Sequence, residues 1–204
     1  MGLYGRHVLP PLTHWAMGRP LLDAFRARVA GGARGRVLEI GLGSGRNLPF
    51  YGAGVDELVG LDPSPEMLAL AREAAARAGR PVTLVESSAE RLPFASGAFD
   101  TVVVTFALCT IPDPEAALGE ARRVLRPGGL LRFVEHGRSP DRGVEAWQRR
   151  LTPLWRRVAG GCHLDRPTDA LIARAGFEIA ELRAGYAARP RAMAFLYEGT
   201  ARPA

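Results

Sequence analysis

The chain has 204 residues, 47% of them hydrophobic, and its 27 basic residues are all arginine, which gives a formal net charge of +6. This length suits one domain with a full core, and no apolar run approaches the roughly 20 residues of a membrane-spanning helix. The arginine pairs are scattered rather than interleaved with aromatic residues, which argues against a nucleic-acid substrate. Cys109 and Cys162 lack metal-ligand spacing, so we expect reduced thiols, a cytoplasmic protein and no metal.

The first segment, residues 4–29, places apolar residues in a roughly helical rhythm. Pro10, Pro11 and Pro20 interrupt it. We therefore expect one or two helices before the sheet begins.

A glycine-rich turn follows the first predicted strand, which runs from Val37 to Ile40. Gly41, Gly43 and Gly45 allow the backbone to turn sharply and to approach a ligand closely. A dinucleotide site needs a further glycine at the sixth position of this turn, where the chain has Arg46. The pattern therefore suits a ligand without phosphates, whose amino-acid end lies along the loop.

Asp62 ends the second predicted strand, about 20 residues after the loop, where a ribose-binding acid is expected. A carboxylate in this position accepts hydrogen bonds from both ribose hydroxyls. Strand, glycine loop and acid in this register together predict a site for an adenosine.

The central part of the chain alternates strands and helices. Ser64 and Pro65 begin a helix that runs to Ala78, and Asp113 begins another. Strands are predicted over 81–86, 98–106 and 130–135. This alternation indicates a parallel sheet with right-handed crossovers.

The last third departs from that rhythm. Residues 137–164 form an insertion rich in Arg, in which Pro153 predicts two short helices that make a lid. A helix over 168–175 follows. The strands over 177–185 and 191–198 have no helix between them, so we expect them to pair as a hairpin at the sheet edge.

The chain resembles the class I S-adenosylmethionine-dependent methyltransferases of the type 11 subgroup. The resemblance rests on four motifs: residues 37–45, residues 61–67, Leu92-Pro93-Phe94 leading to Phe99-Asp100, and residues 123–129. A narrower likeness to the mammalian microsomal alkyl-thiol S-methyltransferases and their bacterial relatives rests on Leu108-Cys109, Glu135-His136, Trp147-Gln148 and residues 161–164. The mammalian enzymes begin with a hydrophobic membrane anchor, which this sequence lacks.

The resemblance implies an α/β, Rossmann-like, doubly wound sheet of seven mostly parallel strands with an antiparallel C-terminal edge hairpin. It implies a single methyltransferase domain over 1–204. Within it we expect an N-terminal helical cover (1–34), a cofactor-binding core (35–136), an inserted lid segment (137–166) and a C-terminal helix with the hairpin (167–204).

The resemblance also implies which residues bind S-adenosylmethionine. Glu39 would orient the amino group of the methionine, Asp62 would hold the ribose hydroxyls, and Tyr4 would close over the cofactor from the N-terminal segment. Many relatives have Asp where this chain has Ser88, so the contact to the exocyclic amine of adenine is weaker or rearranged. The other expected cofactor contacts are Gly41, Gly43, Gly45, Pro63, Ser64, Met67, Ser88, Ala89, Thr105 and Phe106.

The acceptor is expected to be a small, fairly apolar molecule, with a thiol favoured. His136, at the carboxyl end of a strand, and His163, after a glycine pair, are the candidate catalytic bases. Two alternatives stay open: a phospholipid or quinone methyltransferase in peripheral contact with a membrane through the Arg-rich stretch 149–157, and a non-catalytic cofactor-binding regulator. The sequence does not define the oligomeric state.

Overall fold

The computed structural model describes residues 3–204, except for the side chain of Arg6, and consists of a seven-stranded sheet with helices on both faces. Three 3-10 turns, at Pro20–Leu22, Leu48–Phe50 and Arg191–Met193, lie between the longer elements. In chain order these elements are α1 (Leu3–His7), α2 (Leu9–Met17), α3 (Asp23–Gly31), β1 (Gly35–Ile40), β2 (Val55–Asp62), α4 (Pro65–Ala78), β3 (Thr83–Glu86), β4 (Phe99–Thr105), α5 (Pro114–Val124), β5 (Leu125–His136), α6 (Arg142–Val158), α7 (Thr168–Arg174), β6 (Phe177–Tyr186) and β7 (Phe195–Pro203).

The strand order is β3-β2-β1-β4-β5-β7-β6. The first five strands pair in parallel, and β7 pairs antiparallel with both β5 and β6. This confirms the expected fold class and the antiparallel edge hairpin. The chain winds outward from β1 to β3 and then returns to β4, so the carboxyl ends of β1 and β4 flank the switch point where open α/β sheets bind ligands.

Local signals explain several element boundaries. Ser64 caps α4, since its hydroxyl accepts a hydrogen bond from the backbone N–H of Met67 at 3.2 Å, and Gly79 ends that helix in the left-handed conformation. Asp113 caps α5 in the same way. Both boundaries lie where the sequence predicts them.

The N-terminal segment forms three helices, not one or two. Pro10 and Pro11 lie in the first turn of α2, where a missing backbone N–H costs no helical hydrogen bond, so they start this helix instead of breaking one. The last strand also begins later than predicted. Ala187 donates its N–H to the carbonyl of Ala194 at 2.9 Å, which closes the hairpin loop before β7 begins at Phe195.

The expectation of two short helices in the insertion is wrong, because α6 continues through Pro153. Its buried side is polar: Gln148 is fully buried, and its amide accepts from Ser139 N–H at 2.8 Å and donates to the carbonyl of Gly137 at 2.9 Å. Thr152 donates its hydroxyl to the carbonyl of Gln148 at 2.8 Å. The two bonds of Gln148 fasten α6 to the chain that leaves β5, whereas the bond of Thr152 lies within the helix.

In the part of the chain that the structure describes, residues 3–204, no helix combines the length and the apolar character needed to cross a membrane.

Candidate active site

A cleft of about 490 Å³ opens at the carboxyl ends of β1, β2 and β4. The N-terminal helix α2 and the end of α6 form its outer wall, through Leu9, Pro10, Met17 and Gly160. The cleft therefore lies at the switch point of the sheet, under the segment that the sequence predicts to be a cover.

The glycine loop forms the floor of this cleft. Gly41 and Gly43 line it and have φ angles of +71° and +57°, a conformation that favours glycine. A β-carbon at Gly41 would lie 2.4 Å from the β-carbon of Ala107, so no side chain fits there. Gly45 does not line the cleft, and a β-carbon on it would meet Leu48 and, on helix α4, Ala71 and Ala74. This close packing explains the need for glycine at position 45, and its contact with the cofactor stays a prediction.

Asp62 lines the cleft at the end of β2. Its Oδ2 accepts from Gly43 N–H and its Oδ1 accepts from Ser64 N–H, both at 2.9 Å. Burial raises the pKa of Asp62, and these two backbone hydrogen bonds oppose the shift. A carboxylate offers about four lone-pair positions, so acceptor capacity remains for two hydroxyl groups of a ligand.

Glu39 is buried beneath the cleft at the end of β1. Its carboxylate accepts from the Tyr51 hydroxyl and from the Asn47 amide, both at 2.7 Å. Burial raises the pKa of Glu39 to about 8, although both hydrogen bonds act against the shift. The Asn47 amide also donates to Thr105 Oγ1 at 2.8 Å, which leaves its Oδ1 buried without a partner. An acceptor of this kind calls for a donor from a ligand.

Arg26 is a residue of the cleft wall that sequence reasoning missed. It is 2% exposed, donates to the carbonyl of Met17 at 2.7 Å and to Asp23 at 3.2 Å, and lies 5.8 Å from the ring centre of Phe106. Because all 27 basic residues are Arg, the sequence does not distinguish Arg26, the one buried arginine among those whose side chains the structure describes. A buried cation beside the cleft provides a partner for a ligand carboxylate.

The far end of the cleft is formed by loops after β2 and β3. Ser88 donates its hydroxyl to Glu90, whose other oxygen accepts from Asp113 N–H at 3.0 Å. Glu90, which the sequence analysis does not single out, thus brings a carboxylate next to Ser88, where many relatives have Asp. The expected residues that line the cleft here are Pro63, Ser64, Met67, Ser88 and Ala89.

Thr105 and Phe106 line the cleft at the end of β4, as the resemblance implies. Phe106 has a φ of +54°, in the left-handed region that non-glycine residues rarely adopt. Such backbone strain is typical of functional sites. Tyr4 is placed differently: it is exposed, and its hydroxyl donates to the carbonyl of Val158 at 2.6 Å. It joins α1 to the end of α6 and does not form part of the cleft wall.

Of the residues that the structure describes, no histidine lies on the cleft wall. His136 is buried at the end of β5, with its Nε2 unpartnered. His163 is partly buried, 3.8 Å from a carboxylate oxygen of Asp165, and burial is the largest cause that lowers its pKa. Both candidate bases therefore lie beside the cleft, behind the loop that follows β4.

The two cysteines lie together with His136, although 53 residues separate them in the sequence. One ligand atom from each of Cys109, His136 and Cys162 lies within 4.8 Å of the others. The contact with Cys162 raises the pKa of Cys109, as does burial. The expectation of no metal rests on the distance between the cysteines along the sequence, and that distance does not show that they are close in the folded chain.

A family profile described as "Methyltransferase domain" matches residues 38–133. The chain is 37% identical over 170 residues to the human thiol S-methyltransferase TMT1B, and the match covers 79% of this chain and 68% of that protein. It is 36% identical over 153 residues to TMT1B of Rattus norvegicus, of which it spans 61%. It is also 36% identical over 149 residues to phosphatidylethanolamine N-methyltransferase of Cereibacter sphaeroides, and the match covers 72% of each chain.

Solved structures share the fold at lower identity. A SAM-dependent methyltransferase from Aquifex aeolicus superposes with a TM-score of 0.65 at 17% identity, over 95% of this chain and 98% of that one. The [4+2]-cyclase SpnF superposes with a TM-score of 0.70 at 20% identity, over 89% and 80% of the two chains. The same fold thus occurs with an enzyme named for a different reaction, so the fold alone does not identify the acceptor.

Proposed function

Because the chain belongs to the S-adenosylmethionine-dependent methyltransferases, we propose that it transfers the methyl group of this cofactor to the sulfur of a small, apolar thiol. The observation that carries the thiol assignment is the composition of the cleft wall. Within the described residues its ionisable groups are Arg26, Arg46, Glu39, Asp62 and Glu90, and no histidine or cysteine is among them.

The residues present fit the cofactor. Asp62 would hold the ribose hydroxyls, and the unpartnered Asn47 Oδ1 beside Glu39 would accept from the ammonium of the methionine part. Arg26 would pair with its carboxylate. Glu90 and Ser88 would face the adenine end, where a carboxylate accepts from an exocyclic amine. Bound cofactor supplies a methyl group already activated by the sulfonium.

The nature of the acceptor follows from how the ionisable groups of the wall are used, because its carboxyl groups, Glu39, Asp62 and Glu90, all lie where we place the cofactor and none is left to act as a base on the acceptor. A thiol has a pKa of roughly 8.5, so a useful fraction is thiolate near neutrality without a base in contact. A hydroxyl acceptor would need a positioned base within hydrogen-bond reach. The chain then contributes alignment of the two reactants and exclusion of water, which can lower the barrier by several kcal/mol. His136 and His163 stay predicted proton acceptors beside the cleft, and the thiol assignment does not depend on them.

The remaining wall of the cleft supports an apolar acceptor. Aliphatic, proline and thioether side chains from α2, the β4 loop and α4 form it: Leu9, Pro10, Met17, Met67, Ile111 and Pro112. Such a surface favours a hydrocarbon chain over a charged acceptor.

An acceptor panel tests the proposal. The protein is assayed for S-adenosylhomocysteine formation with a short alkyl thiol, a phenol, a primary amine and phosphatidylethanolamine vesicles in parallel. We expect turnover with the thiol and none above background with the others. Loss of that turnover in Asp62→Asn assigns it to this cleft. Turnover of the phenol or amine in place of the thiol would remove the thiol assignment, and no turnover with any acceptor would favour the non-catalytic regulator.

A second candidate is methylation of a phospholipid or quinone at a membrane surface. Apolar side chains are exposed on α2, which lines the cleft, and on α6, which ends beside it: Trp15 is 68% exposed, and Leu154 and Trp147 are 64% and 58% exposed. Arg149, Arg150, Arg156 and Arg157 lie on the same helix, so α6 combines apolar and cationic groups, as interfacial helices do. The phosphatidylethanolamine arm of the panel and sedimentation with anionic vesicles at low salt test this candidate, and failure of both would exclude it.

A further inference from the structure

Three chain segments meet beside the cleft at the carboxyl ends of β4 and β5. Cys109 lies in the loop after β4, His136 ends β5, and Cys162 lies between α6 and α7. The N–H of His163 donates to the carbonyl of Cys109 at 2.8 Å, and Arg166 donates to the carbonyls of Leu108 and Ile111. These three hydrogen bonds, all accepted by backbone carbonyls of the β4 loop, hold the two cysteine segments together independently of the sulfur atoms.

The side chains at this meeting point are donors to soft or borderline cations. Their three ligand atoms all lie within 4.8 Å of one another. Around a tetrahedral Zn²⁺, with Zn–S of about 2.3 Å and Zn–N of about 2.0 Å, ligand atoms lie about 3.4–3.8 Å apart. Small side-chain rotations would close the remaining distance.

A second observation points to a missing partner. His136 is 8% exposed, and its Nε2 is buried with no hydrogen-bond partner. Buried polar atoms without partners are rare in native proteins and call for an explanation such as an ion.

We propose that Cys109, His136 and Cys162 bind one Zn²⁺ ion. The donor set of two thiolates and one imidazole favours zinc over magnesium or calcium, which prefer oxygen ligands. Three protein ligands leave one tetrahedral position for an exogenous ligand, and the ion joins the β4 loop, the end of β5 and the α6–α7 connection. With zinc bound, His136 is a ligand, and His163 is the remaining predicted proton acceptor.

Metal analysis of the full chain tests the proposal. The protein is purified under a non-thiol reductant, stripped with a chelator, loaded with Zn²⁺ or Co²⁺ and desalted. We expect one zinc per chain, and for Co²⁺ a thiolate-to-metal charge-transfer band with the intense visible bands of tetrahedral coordination. Cys162→Ser and His136→Gln should each lower the retained zinc at least tenfold, since they remove a ligand. His7→Ala, which removes an exposed histidine, should retain it.

The cobalt spectrum of the wild-type chain decides the question even if a variant fails to fold. Absence of the charge-transfer band together with less than a tenth of an equivalent of zinc would overturn the proposal. Equal zinc in wild type and a folded Cys109→Ser/Cys162→Ser variant would also overturn it, since that metal would be bound elsewhere. Neither result depends on which acceptor is methylated, so this test is separate from that of the proposed function.

Discussion

At the scale of single residues, Asp62 does two things: it holds the glycine loop through Gly43 and presents its remaining lone pairs to the cleft. We predict that Asp62→Asn weakens cofactor binding at least tenfold, because a charged acceptor becomes a neutral amide that also faces a backbone N–H. Isothermal calorimetry with S-adenosylhomocysteine measures this. Asp56→Asn, an exposed change on the same strand, is the control, and equal affinity in both variants would contradict the placement of the ribose.

Arg26 permits a second test at one residue. If its guanidinium pairs with the ligand carboxylate, Arg26→Gln should lower the affinity for S-adenosylhomocysteine about tenfold, the value of a charge-assisted hydrogen bond of about 1.5 kcal/mol. The affinity for 5′-methylthioadenosine, which has no amino-acid end, should stay unchanged. Arg19→Gln, an exposed change near the same helix, should affect neither ligand. Equal losses for both ligands in Arg26→Gln would mean that Arg26 acts on the structure of the cleft.

Single residues also show where sequence reasoning succeeds. Glu39, Gly41, Gly43 and Asp62 are recognisable because each follows or ends a strand in one continuous motif, and the structure places all four at the cleft. Arg26 is not, because only the packing of distant segments buries it. Glu90 is two residues from Ser88, but its bond from the N–H of Asp113, in another loop, has no signal in the sequence. Residue roles that arise from folding leave no local signal.

At the scale of elements, two glycines with a left-handed backbone differ in what an alanine in their place would cost. At one position the cost is conformational strain alone, and at the other a steric clash is added. Gly79 at the end of α4 has a φ of +59° with open space where a β-carbon would be, so Gly79→Ala should lower the free energy of unfolding by only about 1 kcal/mol. Gly41 at the end of β1 has a φ of +71° and would place its β-carbon 2.4 Å from that of Ala107, so Gly41→Ala should lose about 3 kcal/mol or more. Urea unfolding of both variants measures the difference, and equal losses would contradict the close contact.

The elements that obey local rules are the ones that could be predicted. Helix α4 begins and ends where the capping serine and the glycine place it. Helix α6 could not be predicted as one element, because Pro153 is the strongest local signal and the buried hydrogen bonds of Gln148 to Ser139 and Gly137 form only in the folded chain. The tertiary bonds of Gln148 and the remaining hydrogen bonds of this long helix together compensate for the one hydrogen bond that Pro153 removes.

At the scale of the whole molecule, several carboxyl groups near the sheet's carboxyl edge share a direction of pKa shift. Burial is the largest cause that raises the pKa of Glu39, Asp62 and Glu135. The folded chain then binds more protons than the unfolded chain between the ordinary carboxyl pKa and the raised one. Their joint contribution to stability is therefore present at low pH and is lost as the pH rises, for Glu39 until about pH 8.

We predict that Glu39→Gln removes part of this pH dependence. Between pH 5 and 7.5 the wild-type free energy of unfolding should fall relative to that of the variant by up to about 1.4 kcal/mol per pH unit. Urea titrations at several pH values measure the difference, and Glu178→Gln, an exposed change at the edge strand, controls for the change in charge. A pH-independent difference between wild type and Glu39→Gln would contradict the raised pKa.

The parallel core follows from the alternation of strands and helices, and the edge hairpin follows from the last two strands, which no helix separates. The doubly wound seven-stranded sheet is what the family resemblance implies. The meeting of Cys109 with Cys162 is not predictable from the sequence, because it depends on how the α6–α7 connection returns to the β4 loop. Long-range contacts of this kind form the surroundings of the cleft, whereas short motifs supply the residues that we propose to contact the cofactor.

The amide of Gln148 has a consequence for how such proteins can diverge. This neutral side chain accepts one hydrogen bond from the main chain of Ser139 and donates one to the main chain of Gly137, so it fastens α6 without help from any other side chain. Mutation can therefore alter the exposed positions of that helix, Trp147 and Leu154 among them, while the hydrogen bonds of Gln148 keep the helix in place. New acceptor preferences could arise in a lineage by drift on this one face, without rebuilding the part of the protein that holds the methyl donor.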